Sequence, residues 1–146
     1  ARVRCGMTAG SPTYSGSFLC GRVKYTFDTE LKALFACYCS LCRKATGSAF
    51  GSFALVPKEH FKWTAGTEHV ASFSSSSEAQ RLFCRECGST LGSLHDHRPM
   101  FMHIAAGTMD SAPPMRLAMH AYVGSKSAWY DIHDDLPQHE GAPGRR

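Results

Sequence analysis

The stretch Cys37-Tyr38-Cys39-Ser40-Leu41-Cys42 brings together three of the chain's seven cysteines. In an extended segment, residues i and i+2 point to the same side, so Cys37 and Cys39 can face one point. The turn made by a CxxC spacing returns Cys42 to that point, and three thiolates can then converge at the roughly 2.3 Å bond length that zinc requires. This stretch therefore predicts a metal site formed by Cys37, Cys39 and Cys42.

The number of ligands in this triplet indicates an open site. Structural zinc sites normally have four protein ligands, whereas a three-ligand site leaves one position for water or substrate. The next cysteine or histidine along the chain is His60, far from the triplet in sequence. The alternatives are three buried or redox-active thiols, or a structural site completed by a distant histidine. Zinc is the expected metal, with iron as the competing choice at thiolate ligands.

A second group of cysteines is predicted from Cys84-Arg85-Glu86-Cys87, whose CxxC spacing supplies half of a zinc site. Cys20 is expected on a strand and has no cysteine partner nearby in sequence. A site formed by Cys20, Cys84 and Cys87 would tie the N-terminal strand to the middle of the chain, and its metal-binding free energy would become folding free energy. A free or redox-active pair at Cys84 and Cys87 is the alternative.

The charge distribution gives no support for nucleic-acid binding. Arg2, Arg4, Arg145 and Arg146 lie at the two ends, and the rest of the chain has 12 basic and 12 acidic residues. A nucleic-acid binder usually concentrates its basic residues on one face. No apolar run approaches the roughly 18 residues that span a bilayer. We therefore expect neither nucleic acid nor a membrane as a partner.

The cysteines and the first residues indicate a reducing compartment. Seven cysteines cannot all pair within one chain, and the first residues lack the apolar segment of a secretory signal. Clustered cysteines in a reducing compartment more often bind metal or take part in chemistry than form disulfides. We therefore expect a cytoplasmic protein.

The hydrophobic pattern predicts a mainly β fold. Val23, Tyr25 and Phe27 alternate with polar residues, as in a half-buried strand. Residues 50–56 form an apolar run that suits a strand buried on both faces. Further strands are predicted at 67–74, 80–84, 100–105 and 118–123, and one short helix is predicted at 41–46.

The domain organisation is expected to be simple, because 146 residues can bury a core without disulfides. Residues 16–141 are expected to form one domain. Residues 1–15 would be an N-terminal arm, and residues 142–146 a C-terminal tail.

Residues 16–141 contain several further short motifs besides the triplet and the adjoining Arg43-Lys44. They are Ser17-Phe18-Leu19-Cys20-Gly21, Gly47-Ser48, Arg81-Leu82-Phe83-Cys84-Arg85-Glu86-Cys87-Gly88-Ser89, Ala106-Gly107-Thr108-Met109-Asp110, and the spaced residues His120, Lys126, Trp129, Asp134, Leu136 and Pro137. Together they resemble the glutathione-dependent formaldehyde-activating enzyme family, which also includes centromere protein V.

This resemblance implies an Mss4-like fold of short antiparallel strands, one or two short helices and one or two zinc ions per chain. Cys37, Cys39 and Cys42 match the family's catalytic zinc site. Cys20, Cys84 and Cys87 match three of its four structural ligands.

The fourth structural ligand is missing, because Phe18 stands where the family usually has the first cysteine of a CxCG pattern. Either another ligand completes the site, or the aromatic ring fills the space and the zinc is weak or absent. Cys5 is a candidate replacement ligand, and a free thiol in the N-terminal arm is the alternative. A histidine or a water molecule could also close the site.

The resemblance further implies a carbon–sulfur lyase-type enzyme acting on a small thiol or carbonyl substrate. The reference reaction joins formaldehyde to glutathione as S-hydroxymethylglutathione. The candidate substrate-binding residues are Ser40, Arg43, Ser48 and His120, of which Arg43 has the planar guanidinium that suits a carboxylate. The competing hypothesis is a non-catalytic zinc module that binds another protein, since a fold does not determine its function.

Overall fold

The computed structural model describes residues 12–111 and 114–144. Cys5 and most of the predicted N-terminal arm lie outside these residues. Within the described ranges, no helix has both the length and the apolar character needed to cross a membrane.

The described residues form ten strands and one α-helix, joined by turns and four short 3-10 segments. The strands are β1 (Tyr14–Ser17), β2 (Lys24–Phe27), β3 (Ala33–Cys37), β4 (Gly51–Pro57), β5 (Phe61–Ala65), β6 (Val70–Ser76), β7 (Ala79–Cys84), β8 (Thr90–His95), β9 (Phe101–Ala105) and β10 (Met119–Ala121). The helix α1 spans Ser40–Thr46, and the 3-10 segments are Lys58–His60, Thr67–His69, Ala106–Thr108 and Val123–Ser125. The predicted mainly β fold with a short helix is confirmed.

The strands form two sheets. A small sheet has the order β1-β2-β5, and a seven-stranded sheet has the order β10-β3-β4-β9-β8-β7-β6. Most neighbours are antiparallel, but β10 runs parallel to β3, with Ala121 opposite Cys37. This parallel strand at the edge of the large sheet lies directly beside the segment that carries the first cysteine of the triplet.

The large sheet has two differently occupied faces. One face packs with the small sheet around an apolar core. The members of that core include Tyr25 and Phe27 of the small sheet and Ala54, Val56, Leu91 and Ile104 of the large one. The other face borders a cavity, which Phe53 and Leu55 of β4 help to line. The predicted burial of this apolar run on both faces is confirmed for Phe53 to Val56, whereas Phe50 and Ser52 are partly exposed.

The close approach of β8 and β9 depends on Gly92, which lies opposite Ile104 in the register. Its φ is +147°, and a Cβ atom there would lie 1.7 Å from the carbonyl oxygen of His103. A larger residue would therefore force the two strands apart. Both strands carry side chains that line the cavity, so this glycine also fixes one wall of it.

Several predicted elements agree with the structure to within a few residues, among them α1, β4, β6, β7, β9 and β10. Strands β1, β3, β5 and β8 were not predicted, and β1 begins at Tyr14 within the range predicted as an arm. The prediction that Cys20 lies on a strand is wrong. β1 ends at Ser17, and Cys20 lies in the turn closed by the hydrogen bond from Gly21 N–H to the carbonyl of Phe18 (2.8 Å).

Candidate metal centre and its cavity

The triplet forms where β3 runs into helix α1. Cys37 is the last residue of β3, and Cys39 has an extended backbone and caps the N-terminus of α1. Cys42 lies within the first turn of the helix, which ends at Gly47 in the left-handed conformation that glycine adopts readily. The predicted extended segment followed by a turn therefore occurs as expected.

The three sulfur atoms are close enough to share one metal ion. The Sγ atoms of Cys37, Cys39 and Cys42 lie within 4.8 Å of one another. Tetrahedral ligands with bonds of about 2.3 Å lie about 3.8 Å apart, so a small adjustment would bring all three onto zinc. Among the described histidine, cysteine and acidic residues, no fourth ligand belongs to this group. The donor set therefore fits a metal ion with one position left for another ligand.

The thiols of the triplet strongly affect one another's protonation. Two hydrogen bonds lower the pKa of Cys39 far below its usual value. The larger effect comes from Cys37 and the smaller from Cys42. The N–H of Cys42 also donates to the sulfur of Cys39, at 3.3 Å. The hydrogen bond that Cys37 makes to Cys39, together with burial, raises the pKa of Cys37. The group thus favours a thiolate at Cys39, which is the protonation state that a metal ligand needs.

The triplet borders a cavity of about 680 Å³ on the face of the large sheet opposite the core. Its lining includes apolar side chains such as Phe35 and Phe53, and the polar side chains of Arg81, Ser93 and His103. A volume of this size is typical of a small-molecule site. Residues 142–144, predicted as part of a tail, also line the cavity.

Arg81 is the buried cation of this cavity. It lies on β7, only 8% exposed, and its Nη2 donates to the sulfur of Cys42 at 3.7 Å. Nε and Nη1 of the same side chain have no hydrogen-bond partner among the described residues. The hydrogen bond with Cys37 and, to a smaller extent, the charge of Arg81 act to lower the pKa of Cys42. The hydrogen bond with Cys39 and burial outweigh them, so this pKa is raised overall.

A serine–histidine pair lies on the same wall. Ser93 Oγ and His95 Nε2 are 2.8 Å apart, and both residues line the cavity. The ring of His95 packs against His103, with centroids 4.5 Å apart. Burial lowers the pKa of His103 to about 3 and also lowers that of His95. His103 is therefore neutral near pH 7.

The residues predicted to bind substrate occupy different positions. Ser40 lines the cavity. Arg43 instead donates from Nε to the carbonyl of Tyr38 at 3.2 Å and is not among the lining residues. Ser48 is exposed in the turn after α1, away from the lining.

His120 lies on the other side of the strand pair. Its neighbours Met119 and Ala121 line the cavity, so the alternation along β10 turns His120 away from it. Its Nε2–H donates to Asp134 Oδ1 at 2.8 Å, and its Nδ1 lies 3.0 Å from the hydroxyl of Tyr38. Tyr38, between two triplet cysteines, is fully buried on this side. These contacts hold the C-terminal segment behind the triplet.

The second cysteine group also comes together as predicted. The Sγ atoms of Cys20, Cys84 and Cys87 lie within 4.8 Å of one another, and those of Cys20 and Cys84 are 3.8 Å apart. The N–H of Ser89 lowers the pKa of Cys87 to about 7. No fourth histidine, cysteine or acidic residue in the described ranges joins this group. It therefore also fits a metal ion, with three protein ligands.

Phe18 belongs to the same apolar core as part of this second group. The residue is 2% exposed and belongs to the core cluster that contains Cys84 and contacts Cys87. Its ring meets Trp63 edge-on, with centroids 6.5 Å apart. Phe18 therefore packs in the core and supplies no fourth ligand to this group.

Sequence reasoning missed Arg81, Ser93, His95 and His103 as parts of the site. One local signal was available, since Arg81 is a charged residue at the start of the otherwise apolar run Arg81-Leu82-Phe83-Cys84. A cation placed in a strand that must be buried calls for a partner.

Comparison with known proteins gives a consistent result. Residues 13–125 match the family model described as glutathione-dependent formaldehyde-activating enzyme. A Schizosaccharomyces pombe protein named "Uncharacterized lyase" is 35% identical over 55% of this chain and 56% of its own length. A Podospora anserina protein named "Putative glutathione-dependent formaldehyde-activating enzyme" is 25% identical over 90% of this chain and 85% of its own length.

An Aspergillus terreus protein with that same name is 30% identical over 68% of this chain. The chain spans 57% of that protein's length, so it covers little more than half of two of these relatives. A Rhodobacter sphaeroides protein of known crystal structure shares the fold, with a TM-score of 0.58 and 21% identity over 68% of this chain and 91% of that one. The chain belongs to the glutathione-dependent formaldehyde-activating enzyme family.

Proposed function

We propose that this protein is a zinc-dependent enzyme of the carbon–sulfur lyase type, which forms or breaks a bond between a thiol sulfur and a carbonyl carbon. The reference reaction is the addition of glutathione to formaldehyde, and a related small or secondary-metabolite substrate is the alternative within the same chemistry. The catalytic residues proposed are Cys37, Cys39 and Cys42.

The position of the triplet beside the cavity is the observation that carries this proposal. Three thiolate ligands leave one metal position for an outside ligand, and a cavity of about 680 Å³ gives a small molecule access to it. A metal capped by a fourth protein ligand beside a large apolar surface would instead favour a protein-binding module.

The chain's own residues account for the remaining requirements. A zinc ion bound at the triplet would hold a thiolate or polarise a carbonyl oxygen. The reaction transfers the thiol proton to the carbonyl oxygen while the carbon–sulfur bond forms. The Ser93–His95 pair, hydrogen-bonded at 2.8 Å within the cavity, can carry that proton. The apolar side chains of Phe35 and Phe53 limit water near the reacting atoms.

The test compares metal content and activity in three proteins purified without chelator. Wild type is expected to contain up to two zinc ions per chain and to convert formaldehyde and glutathione to S-hydroxymethylglutathione, followed by NMR. Cys42→Ser should lose one zinc and the activity. Cys20→Ser should lose the other zinc and keep the metal at the triplet.

Two outcomes would contradict the proposal. One is wild-type protein without metal in which all thiols titrate. The other is a Cys42→Ser variant that retains both its metal content and its activity. Zinc at the triplet without turnover of formaldehyde and glutathione would leave the lyase class in place and direct the search to another thiol and carbonyl pair.

A further inference from the structure

Arg81 has more hydrogen-bonding capacity than the surrounding protein uses. Its guanidinium is buried, and burial of an ionised group is costly unless the group is paired and hydrogen-bonded. The one partner found is the sulfur of Cys42, reached by Nη2. Nε and Nη1 lack partners, and no carboxylate in the described ranges forms an ion pair with Arg81.

The sheet register places Arg81 in a row of polar residues on neighbouring strands. Arg81 of β7 lies opposite Ser93 of β8, and Ser93 lies opposite His103 of β9. All three residues line the cavity and form a polar row across it. His103 Nδ1 is also buried and without a partner in the described part of the chain. The row therefore presents several unused polar atoms to whatever occupies the cavity.

The distance to Cys42 determines which part of a ligand these donors can reach. A guanidinium nitrogen 3.7 Å from a triplet sulfur lies next to the reacting atoms. A negatively charged oxygen two or three bonds from a substrate sulfur bound at the triplet would fall within reach of the remaining N–H groups. If Arg81 served only to balance the negative charge of the triplet, the contact of Nη2 with Cys42 would be accounted for. The burial of Nε and Nη1 without partners would not be.

We propose that Arg81 is the oxyanion-binding residue of this cavity and donates hydrogen bonds to the oxygen that becomes negative when a thiolate adds to a carbonyl carbon. This inference rests on the proposed function. In the step, the sulfur electron pair forms the carbon–sulfur bond, and the carbonyl π electrons move to the oxygen. Arg81 stabilises that oxygen until it receives the proton released by the thiol. In the reverse direction, the same contact stabilises the oxygen while the bond breaks.

The test uses two thiols that differ in the charge near the sulfur. Mercaptoacetate places an anionic oxygen close to its sulfur, whereas 2-mercaptoethanol carries a neutral hydroxyl. Their affinities for the metal-loaded protein are measured by calorimetry for wild type, Arg81→Gln and Arg81→Lys. Arg116→Gln, which changes an exposed arginine outside the cavity, is the matched control.

Wild type and Arg116→Gln are expected to bind mercaptoacetate at least tenfold more tightly than 2-mercaptoethanol, because a hydrogen bond to a charged group is worth roughly a factor of 10 to 100. Arg81→Gln should lose this preference, and Arg81→Lys should keep a reduced one. With substrate, loss of an oxyanion donor should lower kcat about 100-fold or more and change KM little.

A wild type without the preference, or an Arg81→Gln variant that keeps it, would overturn the inference. If Arg81→Gln does not fold, protection of Arg81 in wild type from phenylglyoxal decides the question. Mercaptoacetate should protect it and 2-mercaptoethanol should not, and equal protection would also overturn the inference. Zinc content, measured on the same samples, tests the proposed function separately.

Discussion

The two cysteine groups have the same number of ligands but opposite surroundings. Cys37 and Cys42 border the cavity on one face of the large sheet, together with a buried arginine and three histidines. Cys84 belongs to the apolar core on the other face, where Phe18 packs in the same cluster. Neither group has a fourth protein ligand among the described residues.

Under the proposed roles, ligand number alone does not separate the catalytic metal site from the structural one. At the triplet, space and polar side chains lie next to the open position. At the second group, Cys20 lies in an exposed turn and Cys84 lies in the packed core. We expect the first group to govern activity and the second to govern stability.

The largest effect expected is the loss of stability in Cys84→Ser. Binding of a structural zinc ion contributes several kcal/mol or more to folding, so the variant should unfold at least about 10 °C below wild type. Cys42→Ser is the matched change at the other group, and its Tm should fall much less. Calorimetry of both variants measures the difference, and equal decreases in Tm would remove the distinction between the two groups.

A smaller effect is expected from changes at Phe18. Phe18→Ala should lower the free energy of unfolding by about 3–5 kcal/mol, as truncation of a buried phenylalanine does. Phe18→Cys should be similarly destabilised in chelator but should recover part of the loss with zinc, because the new thiolate can act as a fourth ligand. Urea unfolding with and without zinc measures this. An identical zinc response of the two variants would show that position 18 does not reach the metal.

A pH effect is expected at His103, on the cavity side. Burial lowers its pKa to about 3, whereas an unfolded histidine titrates near 6.5. The unfolded state therefore binds more protons between these values, and acid favours unfolding by about 1.4 kcal/mol per pH unit, or about 2 kcal/mol at pH 5.

The comparison variant is His103→Leu, which cannot bind the proton. Its free energy of unfolding should fall less steeply than that of wild type as the pH decreases from 6.5 toward 3. Metal release in acid affects both proteins, so the difference between their curves isolates His103. Parallel curves would indicate that solvent reaches the ring.

The smallest effect is expected behind the triplet, at Asp134. The hydrogen bond from His120 lowers the pKa of this exposed carboxyl. Its stabilising contribution is therefore present above the ordinary carboxyl pKa of about 3.9 and is lost as the pH falls through the lower folded value. Thermal unfolding should place Asp134→Asn below wild type at pH 7, with the difference shrinking as the pH falls below about 4. A difference that persists in acid would assign the effect to packing.

The parts of the site that depend on local spacing could be predicted from the sequence. The CxCxxC and CxxC patterns identify both groups because the backbone geometry within a few residues brings the sulfurs together. The apolar run of β4 was also informative, since burial on two faces requires apolar residues at consecutive positions.

The parts that depend on pairing between distant strands could not be predicted in this way. Arg81 reaches Cys42 because the strand order places β7 across the cavity from α1. Arg43 follows the triplet directly but is turned back to the carbonyl of Tyr38. The orientation of His120 is set by the parallel register of β10 and β3, which hydrophobic periodicity does not reveal.

The parallel pairing of β10 with β3 also determines the order in which the site is completed during synthesis. Cys37 pairs with Ala121, which lies 84 positions later in the chain. At roughly 5 to 20 residues per second, the ribosome releases the triplet about 4 to 17 seconds before the strand that covers its flank. During that interval the three thiols are accessible to oxidants and to any thiol-binding metal. The triplet can therefore bind a metal before the cavity beside it has formed.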